Sequence, residues 1–295
     1  MSKPSIGFIG LGLMGGAMCQ RLLDCGYPLT VLANRTRTHV DAAIARGASE
    51  ASTAKALAEA SDIVMLCMDT SASVEGRMRG ENGVIAGLKP GAKVIDFGTS
   101  LPGSTRALSE EVAAAGGAYL DGPLGRTPSH ALNGELNIMC AGDKTAYEAV
   151  KPVLEDLGEN VFHLGASGAG HTVKLINNFF GMTTAMAMSE AFAMGEAAGV
   201  ERQTLFDVVS AGPLKSGMME FVKGYAVDGD PDQLAFALKN AKKDVGYYTS
   251  MADELGKLSI MSQGTKQALG LAVAQGRGDR MVSEAVDMFA ELYKD

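Results

Sequence analysis

Short apolar runs alternating with longer amphipathic stretches mark the first half of the chain. Residues 5–9, 29–33, 63–68, 93–97 and 137–141 are apolar runs of strand length, and Tyr119-Leu120 opens another, mostly flanked by glycine or polar residues. Between them, residues 17–25, 38–46, 53–60, 104–115 and 146–157 carry apolar side chains at helical spacing. This alternation predicts an α/β fold: a parallel sheet with helices on both faces, whose ligands bind beyond the carboxyl ends of the strands.

The pattern changes after Leu164. Residues 171–199 contain no proline and are rich in Ala, Met, Leu and Phe, which predicts one helix of roughly 40 Å. Residues 202–210, 214–222, 235–255, 260–275 and 282–294 also read as helices. Two domains are expected: an α/β domain over 1–164 and an all-helical domain over 165–295. Gly165, Ser167, Gly168 and Gly170 form the expected hinge, with the ligand in the cleft between the domains. Met182, Met186, Met188 and Met194 on the long helix read as core or subunit interface rather than as a cofactor box. So apolar a helix predicts a homo-oligomer, a dimer or a tetramer.

The segment Gly10-Leu11-Gly12-Leu13-Met14-Gly15 stands between the first strand and the first helix. In that context the three glycines have separate mechanical tasks. Gly10 makes the tight turn, Gly12 lets the backbone approach a pyrophosphate, and Gly15 lets helix and strand pack closely. The anion then meets the unpaired N–H groups of the helix start, so the domain over 1–164 reads as Rossmann-like and dinucleotide-binding. The competing reading, an ordinary glycine-rich loop, does not account for the strand before and the helix after.

A dinucleotide's second anchor is expected at the end of the second strand, where NAD-specific folds place a carboxylate on the ribose 2′-hydroxyl. Here the residues are Ala33-Asn34-Arg35-Thr36-Arg37, without a carboxylate. Asn34, Arg35 and Thr36, with Arg37 nearby, suit a 2′-phosphate, so NADP(H) is favoured over NAD(H). The alternative is that the arginines are solvated and NAD(H) binds through its other contacts.

Charge and cysteine usage narrow the partners. A formal net charge of −8, from 34 acidic and 26 basic residues, disfavours nucleic acid and anionic membranes. An anionic substrate must therefore be captured by local cations. Cys19, Cys25, Cys67 and Cys140 have neither disulfide-framework nor metal-ligand spacing, which fits a reducing cytoplasm. The apolar run 6–18 follows Lys3, but five of its thirteen residues are glycine, unlike a signal-peptide core. His39, His130, His163 and His171 show no metal or catalytic spacing and read as structural or exposed.

Four motifs carry a resemblance. Residues 6–15 (IGFIGLGLMG), 121–127 (DGPLGRT), 168–178 (GAGHTVKLINN) and Lys243-Asp244 resemble, in order and spacing, the β-hydroxyacid dehydrogenase family, which includes the 3-hydroxyisobutyrate dehydrogenases. The resemblance covers nearly the whole chain. It implies reversible hydride transfer between a nicotinamide and a small acid bearing an alcohol or aldehyde.

Lys174 matches the family's catalytic lysine. Reduction of an aldehyde leaves an alkoxide that must gain a proton, and a cation beside that oxygen stabilises the charge and donates. In the oxidative direction the lysine acts as a base, so burial is expected to lower its pKa. Asn178, four positions on, shares the lysine's helical face; the resemblance implies that it bonds the lysine or the substrate, with Asn177 also reaching the ligand. The competing reading is a surface lysine beside an asparagine pair. The resemblance further implies cofactor contacts for Met68, Thr99 and Lys243.

Gly125-Arg126-Thr127 departs from most relatives, which carry a serine and two glycines that hold the substrate carboxylate. An arginine fork there suits a carboxylate or sulfonate, and the triplet resembles the sulfolactaldehyde reductase branch. A structural salt bridge is the alternative for Arg126. The function expected is an NAD(P)-dependent oxidoreductase interconverting a small anionic aldehyde and its hydroxy acid, of the 3-sulfolactaldehyde, succinic semialdehyde or tartronate semialdehyde type. Alternatives are a 3-hydroxyisobutyrate or glyoxylate-type enzyme, an imine reductase, or a nucleotide-binding scaffold without chemistry.

Overall fold

The computed structural model describes residues 3–34 and 37–294. The chain divides into two compact units, 1–174 and 175–295.

In the first unit the chain runs through β1 (Ile6–Ile9), α1 (Leu13–Asp24), β2 (Leu29–Leu32), α2 (Thr38–Ala45), β3 (Ser49–Ala51) and α3 (Ala54–Ala60). It continues through β4 (Ile63–Leu66), α4 (Ser71–Met78), β5 (Lys93–Asp96), α5 (Pro102–Ala114) and β6 (Ala118–Asp121). Then follow β7 (Leu124–Gly125), α6 (Pro128–Asn133), β8 (Leu136–Cys140), α7 (Lys144–Leu157) and β9 (Gly158–His163).

Six strands form one parallel sheet in the order β3-β2-β1-β4-β5-β6. Strand order reverses beside β1, which pairs with β2 on one side and β4 on the other, so a crevice opens beyond Ile9. Alternate side chains feed two cores. Ile6, Phe8, Ile63 and Met65 pack with Met18 and Leu22 of α1 and with Val150 and Leu154 of α7. Ile9, Val64 and Leu66 pack on the opposite face with Leu57, Met78, Leu108 and Val112. Hydroxyl and carboxylate caps start several helices: Thr53 accepts from Ala56 N–H, Thr70 from Ser73 N–H and Asp143 from Ala146 N–H. Each such cap contributes about 1 kcal/mol.

The run 137–141, which the alternation counts with the strands of the parallel sheet, does not extend that sheet. It is β8, the centre of a separate three-stranded sheet, antiparallel to β7 and parallel to β9. The reason is the sharp return after β6: Asp121 and Ala141 form an isolated antiparallel bridge that turns the chain off the sheet edge.

The second unit holds most of α8 (Ala169–Ala197), then α9 (Arg202–Ser210), α10 (Gly217–Ala226), α11 (Leu238–Glu254), α12 (Met261–Ala274) and α13 (Ala285–Leu292). Met182, Met186 and Met188 are buried with Phe192, Leu238, Leu269 and Phe289, whereas Met194 is exposed. The long helix begins within the glycine-rich segment expected to be a hinge, because that segment is packed: a Cβ on Gly170 would lie 2.3 Å from the Met139 carbonyl oxygen.

Candidate active site

Gly10 and Gly15 have the backbone mechanics expected of them. Gly10 adopts a φ of +98°, and a Cβ there would lie 2.3 Å from the Cys67 carbonyl oxygen, so the turn requires glycine. A Cβ on Gly15 would lie 2.1 Å from Gly10 O and 3.0 Å from the Phe8 ring, which fixes the close approach of α1 to β1. Gly12 is different. It caps α1 without a side-chain bond, and a Cβ there would meet nothing within 4 Å. The helix start therefore presents its N–H groups to open space, and α1 has no acidic residue in its first turn. This cradle fits a pyrophosphate. Leu11 is buried, Met14 half-buried and Leu13 exposed.

Two neighbouring strand ends line the same crevice. The Met68 side chain lies beside Gly10, 3.3 Å from where a Cβ would stand. Met68 O in turn comes within 2.9 Å of a Cβ on Gly98, and Asp96 Oδ1 within 3.0 Å, which explains glycine at that position before half-buried Thr99. Asn34, after β2, accepts a hydrogen bond from Arg77 Nη2 at 2.9 Å. Arg37 is committed elsewhere: it donates to Asp41 and Glu50, and its bonds hold the Glu50 carboxyl below its ordinary range. Arg35 and Thr36 lie outside the described residues.

The lysine is positioned by backbone groups and buried carboxylates. Asp121, wholly buried, accepts from Gly168 N–H and His171 N–H, both at 2.9 Å, and so caps the first turn of α8. The buried His171 ring meets the Thr105 hydroxyl at 2.7 Å through Nδ1, and its Nε2 lies 3.7 Å from Asp96. Asp96 also accepts from Gly98 N–H, the Ser100 hydroxyl and the Tyr119 hydroxyl. Burial, with the Asp96 and Asp121 charges, pushes the Tyr119 phenol well up. Lys174, one turn beyond His171, donates from Nζ to the Leu124 carbonyl oxygen at 2.7 Å. The Lys174 side chain is thus anchored beside the segment 125–127.

In that segment Arg126 has a φ of +76°, the left-handed region that favours glycine. Its Nη1 donates to Glu135 O at 2.6 Å and to the Glu159 carboxylate. The Thr127 hydroxyl pairs with His130 Nδ1 at 2.7 Å and with the Ser129 hydroxyl at 2.8 Å. Gly125 lies against Asn137, whose Cβ is 3.2 Å from where a Gly125 Cβ would stand.

Residues 5–165 match the NAD binding domain of 6-phosphogluconate dehydrogenase, and residues 168–289 match the NAD-binding of NADP-dependent 3-hydroxyisobutyrate dehydrogenase. The chain belongs to the 3-hydroxyisobutyrate dehydrogenase-like β-hydroxyacid dehydrogenases. The family comprises NAD(P)-dependent dehydrogenases and reductases of hydroxy acids and semialdehydes. Similar proteins include the NAD-dependent L-serine dehydrogenase of Pseudomonas aeruginosa, 35% identical over 204 residues, covering 69% of this chain and 68% of that protein. The 2-hydroxy-3-oxopropionate reductase of Escherichia coli is 30% identical over 287 residues, covering 97% of each. The 3-hydroxyisobutyrate dehydrogenase of Mycobacterium tuberculosis has the same fold, with a TM-score of 0.84 at 24% identity over 97% of this chain and 99% of that one.

Within this family member's helical unit, the amide of buried Asn178 donates to Asp244 at 2.6 Å and its oxygen accepts from Asn177 at 3.2 Å. Lys243 lies 3.0 Å from Asp244 and 5.3 Å from the centre of the Tyr247 ring. Sequence reasoning missed Arg77, the contacts that join Asp96, Asp121 and His171, and the Leu124 carbonyl. Only Arg77 had a readable signal: Thr70 as a cap and Val74 and Met78 four apart announce the helix that carries it. Among the described residues no cluster of three His, Cys, Asp or Glu could hold a metal ion, and no helix is long and apolar enough to cross a membrane.

Proposed function

We propose that the protein interconverts a small anionic aldehyde and its hydroxy acid, preferring NADP(H), with Lys174 as general acid and base. The observation that carries this reading is the Lys174 ammonium, tethered at 2.7 Å to Leu124 O at the threshold of the 125–127 segment. The bound nicotinamide supplies or accepts the hydride. The chain's own task is then to hold the carbonyl carbon in place and to manage one proton. Lys174 donates that proton to the substrate oxygen during reduction and takes it back during oxidation. The tether to Leu124 restricts the swing of the ammonium, so the developing alkoxide meets a charge already in place.

The substrate's acid group is assigned to 125–127. Arg126 spends Nη1 on Glu135 and Glu159, and among the described residues its Nε and Nη2 make no hydrogen bond. Those donors suit a carboxylate or sulfonate, with Thr127 beside them. Succinic, tartronate and sulfolactaldehyde-type substrates all carry such a group. A second reading, oxidation of a 3-hydroxy acid, is supported by the 35% identical relative named for L-serine. The decisive experiment is a panel of initial rates with NADH and NADPH against sulfolactaldehyde, succinic semialdehyde, tartronate semialdehyde, glyoxylate and methylmalonate semialdehyde, with L-serine and 3-hydroxyisobutyrate in the reverse direction. Absence of turnover with every acidic aldehyde and hydroxy acid would overturn the proposal.

A further inference from the structure

We infer that Arg77 of α4 recognises the adenosine 2′-phosphate of NADP(H), held in place by Asn34. The inference rests on the proposed preference for NADP(H) and names a residue that the loop after β2 does not contain. Three observations carry it.

Position comes first. In this class of fold the residue just past the second strand is the one that meets the ribose 2′-position. Here Asn34 stands in that turn, two positions past the end of β2, and its Oδ1 receives Arg77 Nη2 at 2.9 Å. The bond spans 43 positions of sequence, bringing a cation from the last turn of α4 to the point where an NAD-specific chain keeps a carboxylate. An arginine in the last turn also complements the helix dipole, but that role needs no reach to Asn34.

Charge is the second observation. The described arginines close to Asn34 and Arg77 in sequence are neutralised: Arg37 by Asp41 and Glu50, and Arg79 by Glu75 and Glu111. Among the described residues Arg77 forms no ion pair; its partner Asn34 is neutral. Among the described residues its positive charge is therefore uncompensated.

Valence is the third. A guanidinium has five N–H donors, and one is used on Asn34. The remaining donors form a planar fork of the kind that grips phosphate oxygens in pairs. Asn34 adds its own amide N–H groups to the same spot while fixing the fork's orientation.

Calorimetric titration with NADP⁺, NAD⁺, 2′,5′-ADP and 5′-AMP tests this without reference to turnover. In the wild type NADP⁺ should bind about tenfold tighter than NAD⁺, or more. Arg77→Ala and Arg77→Gln should each weaken NADP⁺ and 2′,5′-ADP by about tenfold or more, leaving NAD⁺ and 5′-AMP within about twofold. Asn34→Asp, which neutralises Arg77 without removing it, should cause the same selective loss. A wild-type preference for NADP⁺ that survives both Arg77 variants overturns this inference alone. Equal wild-type affinity for the two dinucleotides overturns the cofactor preference and the inference with it. The glutamine variant and a thermal melt of each protein guard against loss of binding through misfolding.

Discussion

Asn178 and Asp244 are joined side chain to side chain, amide nitrogen to carboxylate oxygen at 2.6 Å, and both are buried. Asn178 is thus the partner of a buried charge inside the helical unit. Asn178→Ala removes a hydrogen bond to that charge and should cost about 1.5–3 kcal/mol, read as a lower urea midpoint. Asn178→Asp should cost more, because it replaces the amide donor with a second carboxylate facing the first. An alanine variant as stable as the wild type would show that the pair contributes nothing to the fold.

Gly12 and Gly15 should respond oppositely to the same substitution. Gly15→Ala drives a methyl group against Gly10 O and should lower the melting temperature markedly. Gly12→Ala meets no protein atom, so its melting temperature should stay near that of the wild type. Its dinucleotide affinity should nevertheless fall by about tenfold or more, through obstruction of the pyrophosphate. Unimpaired binding in Gly12→Ala would contradict the assignment of the cradle.

Lys174→Ala should lower kcat by about 10²–10⁴-fold, the range for a lost general acid, while dinucleotide affinity changes little. Stopped-flow measurement of the hydride step with calorimetric binding separates the two. A wild-type rate would remove the lysine from the mechanism.

Arg126→Gly tests whether this arginine serves the fold or the substrate. Glycine relieves a left-handed backbone that costs a non-glycine residue about 1–2 kcal/mol. The half-exposed ion pair with Glu159 contributes little in return. Stability should therefore hold or rise, while KM for acidic aldehydes rises about tenfold or more. An unchanged KM would leave Arg126 only its bonds to Glu135 and Glu159.

Acid should weaken the start of β1 through Asp62. Ser5 donates to its carboxylate from both backbone N–H, at 2.9 Å, and hydroxyl, at 2.8 Å, holding that carboxyl below its ordinary range. A depressed folded pKa means stability that is fully present above the unfolded value, about 3.9, and lost as pH falls through the folded one. The stability gap between wild type and Asp62→Asn, from urea titrations, should be constant from pH 7 to about 5 and close below about pH 4. A gap independent of pH would exclude this carboxylate.

What was legible in the sequence was whatever residue type alone encodes. Strands buried on both faces, β1 and β4, are continuous apolar runs. The glycine loop was legible because its backbone turn and close contacts exclude a side chain. β3 was not, since Ser49 and Glu50 of an edge strand are exposed and carry no hydrophobic signal. β9 follows α7 without a break, and most of its side chains are only half-buried. For α6 the cues were present and unused: Pro128 at its first turn and Gly134 closing it at a φ of +76°. In the site, Lys174 could be named but its anchor could not, because Leu124 acts through a carbonyl oxygen that any residue possesses. The His171 contacts with Asp121 and Thr105 span 50 and 66 positions, beyond what local periodicity encodes.

The anchor also affects the small sheet. Pro123 O accepts from Met139 N–H of β8 at 3.0 Å, so by alternation the Leu124 carbonyl points out of the open side of β7. Bare strand margins invite pairing with stray peptide, and proteins often blunt them with charge. In this molecule Lys174 seals that margin. Changing the lysine for chemical reasons would therefore uncover an adhesive border, and loss of turnover in such a variant should be weighed against self-association in the same sample.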